Sequence, residues 1–197
     1  MSKRLFDLFT CILGVIALSP FFFLISVWIK FDSPGPIFFR QVRVGKGGKL
    51  FRIHKFRTMR VNAEQDGRLT VGEDSRITKS GRFLRKYKLD ELPQLIDVLV
   101  GDMSLVGPRP EVKEFMDSYP PEIREKVLSV RPGITDRASI EMVDENILLS
   151  GYPDPRQAYI NIILPIKQGY YVDYVRSHTF WGDIRIILET IAKVISR

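Results

Sequence analysis

Residues 8–29 read LFTCILGVIALSPFFFLISVWI and contain no charged side chain. A helix rises about 1.5 Å per residue, so this run is long enough to cross the roughly 30 Å hydrocarbon core of a bilayer. The run is longer than the apolar region of a signal peptide, and no small-residue cleavage site separates it from the polar part of the chain. The sequence therefore predicts a membrane helix ahead of the polar part of the chain.

Two features of this run argue against a simple transmembrane helix. Ser19 and Pro20 lie in its middle. Pro20 cannot donate to the carbonyl oxygen of Ile16 and its ring clashes there, so we expect a bend or break, whereas the Ser19 hydroxyl can satisfy a freed carbonyl. Basic residues flank the run on both sides, which favours keeping both ends in the cytoplasm. The residues alone leave a kinked span and a re-entrant helix-break-helix hairpin as alternatives.

Composition limits the kind of partner and the kind of metal. The 197 residues carry a formal net charge of +7, which predicts an anionic partner such as nucleic acid, acidic lipid or a phosphorylated substrate. A single cysteine, Cys11, leaves no intrachain disulfide within these residues. The two histidines, His54 and His178, lie far apart. Any metal is therefore expected to be a hard cation with oxygen ligands rather than zinc.

The polar part of the chain predicts a mainly helical α+β fold. Residues 37–59 contain two strand-like runs around a glycine-rich turn at 45–48, which is a β-hairpin pattern. Apolar residues at helical spacing recur in residues 89–100. Most of the positive side chains of the hairpin are interpreted as a solvated face: Arg40, Arg43, Lys49 and Arg52.

The C-terminal segments bear on the membrane as well as on the core. Residues 158–169 and 184–197 are strongly apolar on one side. They predict either core helices or amphipathic helices that lie in the membrane interface. No internal repeat or second polar domain is visible. We expect a membrane anchor over residues 1–32 and one further domain over residues 33–197.

Asp90 and Glu91 form an isolated acidic pair at the end of a basic stretch, in the sequence KLDELPQL at 88–95. The simplest interpretation is a helix cap, because Asp is a favoured N-cap and Pro93 is accepted in a first helical turn. The pair also suits phosphate chemistry, since two carboxylates can hold a Mg²⁺ that bridges to phosphate oxygens. Cationic neighbours would keep Asp90 ionised as a nucleophile. The two interpretations are compatible.

Basic residues in stiff or strand-end positions are the candidates for binding phosphate. Arg109 lies between two prolines, Arg131 opens an Arg-Pro-Gly turn, and Lys55 ends a predicted strand. An arginine can bind phosphate through two parallel hydrogen bonds. No P-loop and no GxGxxG motif ahead of a helix occurs, so a nucleotide would be bound in neither the Walker nor the Rossmann manner. The residues thus indicate a membrane-associated, phosphate-handling protein that uses Mg²⁺.

Four motifs together resemble the bacterial sugar transferase family, the monotopic polyprenyl-phosphate phosphoglycosyl transferases. They are SPGPIFFRQVRVG at 33–45, HKFRTM at 54–59, KLDELPQLIDVLVGDMSLVGPRPE at 88–111 and RPGIT at 131–135. The resemblance extends from about residue 3 to residue 193, and the length matches the minimal catalytic form. It implies a re-entrant helix broken at Ser19-Pro20, on the cytoplasmic face of the bacterial inner membrane.

The resemblance also implies an activity. Such enzymes transfer a phosphosugar from a UDP-sugar to polyprenyl phosphate, such as undecaprenyl phosphate, giving polyprenyl-diphospho-sugar and UMP, and so initiate glycoconjugate or polysaccharide assembly. Their Asp-Glu dyad matches Asp90 and Glu91. Asp90 would attack the β-phosphorus and form a covalent intermediate in a ping-pong scheme, and Glu91 would help hold Mg²⁺ or position the incoming phosphate. The basic positions that would neutralise phosphates are matched by Lys55, Arg85, Arg109 and Arg131.

Two departures from the family pattern concern the sugar or nucleotide pocket. Asp136-Arg137-Ala138 follows the RPGIT motif where many members have Gly-Trp-Ala or Gly-Leu-Ala, and Tyr171 stands where many carry an acidic residue. The sugar therefore does not follow from the resemblance. We expect no nucleic-acid ligand, and a homo-oligomer stays open. Two alternatives remain: a non-catalytic, membrane-anchored module that binds anionic ligands, and a membrane phosphohydrolase with water as acceptor.

Overall fold

The computed structural model describes residues 2–67, 69–142 and 144–196, and most of them are helical. The helices are α1 (Ser2–Asp32), α2 (Lys79–Lys86), α3 (Gln94–Val100), α4 (Lys113–Met116), α5 (Pro121–Leu128), α6 (Arg137–Glu141), α7 (Glu145–Ser150), α8 (Pro155–Ala158), α9 (Leu164–Ser177) and α10 (Phe180–Ile195). A π-helical turn, Tyr159–Ile163, joins α8 to α9. The strands are β1 (Phe38–Val44), β2 (Leu50–Phe56), β3 (Ser104–Val106) and β4 (Gly133–Thr135). The predicted mainly helical α+β class is confirmed.

The apolar segment forms one helix, α1, that is long and apolar enough to cross a membrane. Pro20 lies inside it, and the Ser19 hydroxyl donates to the carbonyl oxygen of Ile16 at 2.8 Å. This is the carbonyl that Pro20, which lacks an N–H, leaves without its helical partner. The serine therefore satisfies the freed carbonyl as predicted. The predicted break at this position does not interrupt the helix, which is continuous from Ser2 to Asp32.

Both ends of α1 are bound to the same protein body. Near its start, the Arg4 guanidinium donates to the carbonyl oxygen of Val98 at 2.7 Å. At its end, the Asp32 carboxylate accepts from the backbone N–H of Ser80 at 2.9 Å. Between these contacts lies a row of apolar side chains that are at least 62% exposed: Phe9, Ile16, Phe23, Leu24 and Phe31. The helix thus shows an apolar face to its surroundings while its two polar ends stay on the domain.

The predicted β-hairpin is confirmed. β1 and β2 pair antiparallel, with Phe38 opposite Phe56 and Arg40 opposite His54. A short helical turn at Lys46–Gly48 joins them. Gly47 and its neighbour supply the positive φ angles that this tight connection needs, which L side chains rarely adopt. The hairpin carries residues 50–56 along α3, so that the end of β2 lies beside the acidic pair.

A second, parallel pair of strands was not visible in the sequence. β3 and β4 pair through Ser104 with Gly133 and through Val106 with Thr135. The strands approach so closely that a Cβ on Gly133 would lie 2.1 Å from the backbone nitrogen of Gly107. Each strand has only three residues and no alternating pattern that a sequence could reveal. This pairing fixes the Pro-Arg-Pro turn that follows β3.

Helix α10 keeps an apolar face in contact with solvent. Trp181, Leu188, Ile191 and Ile195 recur at spacings of seven, three and four residues and are each at least 50% exposed. The start of α10 packs beside the start of α1, because the rings of Phe6 and Phe180 are 5.2 Å apart. The exposed apolar side chains of α10 share one side of the helix, as expected for an amphipathic helix.

Candidate active site

Asp90 and Glu91 lie in a short 3₁₀ turn, Leu89–Glu91, between α2 and α3. The residue before this turn, Lys88, adopts a left-handed conformation with φ of 54°. Helix α3 begins only at Gln94, and no side chain caps it. The interpretation of Asp90 as a helix cap is therefore wrong. Both acidic side chains are buried, with 7% and 9% of their residue surfaces exposed.

Glu91 is held by two cations. Its Oε1 accepts from the Lys55 amine at 2.7 Å. The Arg109 guanidinium donates to both carboxylate oxygens, to Oε2 at 3.1 Å and to Oε1. Burial by itself raises the pKa of Glu91, but the charges of Arg109 and Lys55 outweigh it and hold this pKa well below its ordinary value. Glu91 is therefore an ionised, immobilised carboxylate.

Its neighbour Asp90 has a different environment. Its Oδ1 is buried and makes no hydrogen bond within the described part of the chain. Burial and then the charge of Glu91 raise the pKa of Asp90, and the nearby lysines oppose this only in part. The expectation that cationic neighbours would dominate is thus not met in the ligand-free protein. A carboxylate oxygen without a hydrogen bond keeps its lone pairs available to a cation or to a reacting phosphorus.

The pKa values of the two cations that hold Glu91 are shifted in opposite directions. Burial lowers the pKa of Lys55 to about 8, although the charge of Glu91 opposes this. The charge of Glu91 raises the pKa of Arg109 well above its ordinary value. Lys55 can therefore lose its proton slightly above neutral pH, whereas Arg109 stays charged under all ordinary conditions.

A cavity of about 1220 Å³ opens onto the acidic pair. It is lined by five of the six residues predicted for catalysis and phosphate binding: Lys55, Arg85, Asp90, Glu91 and Arg109. Arg85 donates to the Thr70 hydroxyl at 2.8 Å, at the edge of this cavity. The sixth residue, Arg131, is not among the described residues that line it; its Nε donates to the carbonyl oxygen of Gly101 at 2.8 Å on the surface.

The sequence analysis missed polar residues that also line the cavity. Arg43 was assigned to a solvated face of the hairpin, but it is turned inward and donates to the carbonyl oxygen of Pro110 at 3.0 Å. Burial lowers its pKa, while the charge of Glu111 opposes this. Lys167 and Glu145 line the same cavity. Arg40 lies in the same SPGPIFFRQVRVG motif and also lines the cavity, so that motif does not single out Arg43.

The three residues that depart from the family pattern are not among the described residues that line the cavity. Asp136 is buried and caps α6 by accepting from the backbone N–H of Ser139 at 2.9 Å. Arg137 forms an ion pair with Glu189 of α10. Tyr171 is 1% exposed, and its hydroxyl is buried without a hydrogen-bond partner among the described residues. Asp136 and Tyr171 both act electrostatically on Arg109, so they influence the site through that arginine.

The donor set fits a magnesium ion only in combination with a substrate. Among the described residues, no group of three or more His, Cys, Asp or Glu side chains is arranged to hold a metal. Glu91 has both oxygens engaged by cations, whereas Asp90 offers an unbonded oxygen. Mg²⁺ in proteins is often held by one or two carboxylates together with substrate phosphates and water. Asp90 fits that arrangement better than Glu91.

The fold joins an apolar helix to a domain whose cavity places Lys55, Arg85 and Arg109 beside the acidic pair. The whole chain, residues 1–197, matches the family described as bacterial sugar transferase. The chain belongs to this family.

Curated relatives agree with this assignment and differ in the sugar they name. A UDP-N-acetylgalactosamine-undecaprenyl-phosphate N-acetylgalactosaminephosphotransferase of Aeromonas hydrophila is 37% identical over 98% of this chain and 44% of its own length. A UDP-glucose:undecaprenyl-phosphate glucose-1-phosphate transferase of Xanthomonas campestris pv. campestris is 37% identical over 100% of this chain and 39% of its own. One of the same name from Caulobacter vibrioides is 35% identical over 100% of this chain and 70% of its own. The chain thus spans less than half of the first two proteins.

Proposed function

We propose that this chain transfers a phosphosugar from a UDP-sugar to undecaprenyl phosphate, giving the diphospho-sugar lipid and UMP. The observation that carries this proposal is the contrast within the acidic pair. Glu91 is fixed by Lys55 and Arg109, while the adjacent Asp90 keeps an oxygen without a hydrogen bond at the wall of a cationic cavity. Relatives that are 37% identical to this chain are named as undecaprenyl-phosphate sugar phosphotransferases. The product would initiate the assembly of a polysaccharide or glycoconjugate.

The proposed reaction uses Asp90 as the nucleophile and consists of two phosphoryl-transfer steps. A carboxylate oxygen of Asp90 attacks the β-phosphorus of the UDP-sugar, an aspartyl–phosphorus bond forms, and the bond from that phosphorus to the bridging oxygen breaks. UMP leaves with the electron pair of the broken bond. A phosphate oxygen of the lipid then attacks the same phosphorus, and the aspartyl bond breaks to regenerate the Asp90 carboxylate. The reaction is a ping-pong exchange in which Asp90 carries the phosphosugar.

The surrounding cations have separate roles in this scheme. Lys55, Arg85 and Arg109 line the cavity and neutralise the phosphate oxygens as charge develops on them. Glu91 positions Lys55 and Arg109 through its hydrogen bonds. Mg²⁺, when bound to the substrate diphosphate and Asp90, would neutralise part of the phosphate charge. Arg131 has a surface position and would act on substrate only after a change of conformation.

The acceptor lipid is expected to approach from the side of α1. Phe56 lines the cavity, and its ring packs 5.6 Å from that of Phe22 in α1 and 5.5 Å from that of Phe38. These aromatic side chains connect the apolar helix to the catalytic cavity. A polyprenyl chain that lies in the bilayer next to α1 would therefore present its phosphate to Asp90 without leaving the membrane.

The position of α1 supports a monotopic arrangement on the cytoplasmic face of the bacterial inner membrane. Arg4 and Asp32 bind the same polar domain through Val98 and Ser80. A helix that crossed the bilayer would place these two ends on opposite sides. Because α1 is continuous and both of its ends contact that domain, we place both ends, and the basic residues beside them, on one side of the membrane, with the exposed apolar side chains of α1 in the near leaflet. The exposed apolar face of α10 would lie in the same interface.

The test is UMP release by the purified chain in nanodiscs with Mg²⁺, undecaprenyl phosphate and a panel of UDP-sugars. We expect repeated turnover that requires lipid and that falls at least about 10³-fold in Asp90→Asn, as for the loss of a nucleophile. Asp117→Asn, on the exposed surface of the same domain, is the matched control. Without lipid the transferase releases at most one equivalent of UMP per chain, so repeated turnover without lipid would indicate a phosphohydrolase, and binding without release would indicate a non-catalytic module. Intact mass of the wild type with UDP-sugar alone should show the phosphosugar adduct.

A further inference from the structure

Two groups of side chains with different chemistry line the catalytic cavity. The first group is apolar and comprises Pro36, Phe38 and Phe56, and the Phe56 ring contacts Phe22 of the apolar helix α1. The second group is polar and comprises Ser139, Glu145, Asn146, Tyr159 and Lys167. The apolar group suits the acceptor lipid, and the polar group suits the donor, whose phosphates would lie beside Lys55 and Arg109.

A partly buried ion pair belongs to the polar group. The Lys167 amine lies 2.5 Å from an oxygen of Glu145, and the two side chains are 8% and 26% exposed. The same amine lies 3.4 Å from the Tyr159 hydroxyl and 5.1 Å from the centre of the Tyr159 ring. The Tyr159 hydroxyl in turn donates to Glu111 at 2.9 Å. All four residues line the cavity.

This arrangement is poorly explained by stability alone. Desolvation of a buried ion pair offsets most of its attraction, and an apolar pair of similar size is often equally stable. The Lys167–Glu145 pair also borders an open cavity rather than a packed core. Its alternating donors and acceptors suit a ligand that both donates and accepts hydrogen bonds.

We propose that Lys167, Glu145 and Tyr159 form the subsite that recognises the hydroxyl groups of the donor sugar. This inference rests on the proposed function and concerns the same cavity. Neighbouring sugar hydroxyls can each accept from the lysine amine and donate to the glutamate carboxylate. A uracil edge carries two carbonyl groups around its single N–H, and the Glu145 carboxylate would repel them. The hexose, rather than the nucleoside, is therefore the part of the donor that this subsite fits.

Binding measurements separate sugar recognition from catalysis. In an Asp90→Asn background, UMP and four donors would be titrated into nanodisc-bound protein: UDP-glucose, UDP-galactose, UDP-N-acetylglucosamine and UDP-N-acetylgalactosamine. We expect Lys167→Met to weaken the tightest-binding UDP-sugar at least tenfold and to leave UMP within twofold. Glu145→Gln preserves the shape of the side chain and should change the order of preference among the four donors. Lys113→Met, which removes an exposed lysine paired with Asp117, should change neither the affinities nor the order of preference among the donors.

The outcomes distinguish this inference from the proposed function. An equal loss of UMP and UDP-sugar affinity in Lys167→Met would overturn the sugar subsite and assign these residues to the nucleoside. Unchanged affinities in both Lys167→Met and Glu145→Gln would also overturn it. Thermal unfolding of each variant identifies general loss of fold, and a variant that has lost its fold is replaced by Lys167→Arg, which is expected to alter donor preference. Lipid-dependent UMP release by the wild type tests the transfer itself, independently of these results.

Discussion

Arg109 donates from its two terminal nitrogens to the two carboxylate oxygens of Glu91, across a separation of 18 residues in the chain. Glu91 also accepts a hydrogen bond from Lys55, which lies near the end of β2. The Pro-Arg-Pro turn, the hairpin and the turn that carries Asp90 are thereby joined at one carboxylate. The position of the neighbouring Asp90 carboxylate therefore depends on the hydrogen bonds that Glu91 makes.

Arg109→Lys tests the two-point contact. A lysine retains the charge but cannot donate two parallel hydrogen bonds, so Glu91 would be less firmly held and one phosphate donor would be lost. We expect kcat/KM for UMP release to fall about 100-fold, as for loss of one preorganised donor. Arg124→Lys, in an exposed ion pair with Asp117, is the control. Equal activity in the two variants would contradict the role given to Arg109.

The pKa of Lys55 predicts a pH dependence of the reaction. Burial lowers this pKa to about 8, so in the free enzyme the amine is a cation below that pH and becomes neutral as the pH rises through it. A neutral amine no longer stabilises phosphate charge, and kcat/KM should fall above about pH 8. Lys55→Arg keeps its charge and should move this fall to higher pH. The same alkaline fall in both proteins would assign it to another group.

Gly133 is predicted to tolerate no side chain. A Cβ there would lie 2.1 Å and 2.4 Å from backbone atoms of Gly107, which cannot move without separating β3 from β4. Gly133→Ala should cost about 3 kcal/mol and lower the midpoint of thermal unfolding by about 6 °C or more. Gly169→Ala is the control, because Gly169 lies in α9 with no atom within 4 Å of the added Cβ. That change should be neutral or stabilise by about 1 kcal/mol.

The topology of α1 is testable by labelling single cysteines. Cys11 is buried and would be replaced by serine, and Ser2→Cys and Lys46→Cys would report on the two sides of the apolar segment. Both sites should react with an impermeant reagent only in inverted membrane vesicles. Labelling of residue 2 from the outside would contradict the monotopic arrangement. In Pro20→Ala the added helical hydrogen bond should favour a membrane span. The cysteine at residue 2 should then be labelled from the outside in a fraction of the molecules.

Local patterns in the sequence predicted the features that depend on neighbouring residues. The charge-free run with Ser19 and Pro20 predicted α1 and its compensating hydrogen bond to Ile16, and the glycine-rich turn predicted the β1–β2 hairpin. The acidic pair stood out because Asp90 and Glu91 follow a basic stretch. The helix-cap interpretation failed because α3 begins only at Gln94, after a 3₁₀ turn that the sequence does not mark.

The sequence by itself determined the membrane helix, the hairpin and the identity of the acidic pair, because each depends on residues a few positions apart. Tertiary structure decided how that pair is used. Glu91 received Lys55 from 36 residues away and Arg109 from 18, while Asp90 was left with an unbonded oxygen. The pairing of Lys167 in α9 with Glu145 in α7 likewise joins residues that are far apart in the chain. The charge environment and the burial of these residues arise from tertiary packing. No local pattern in the sequence predicts them.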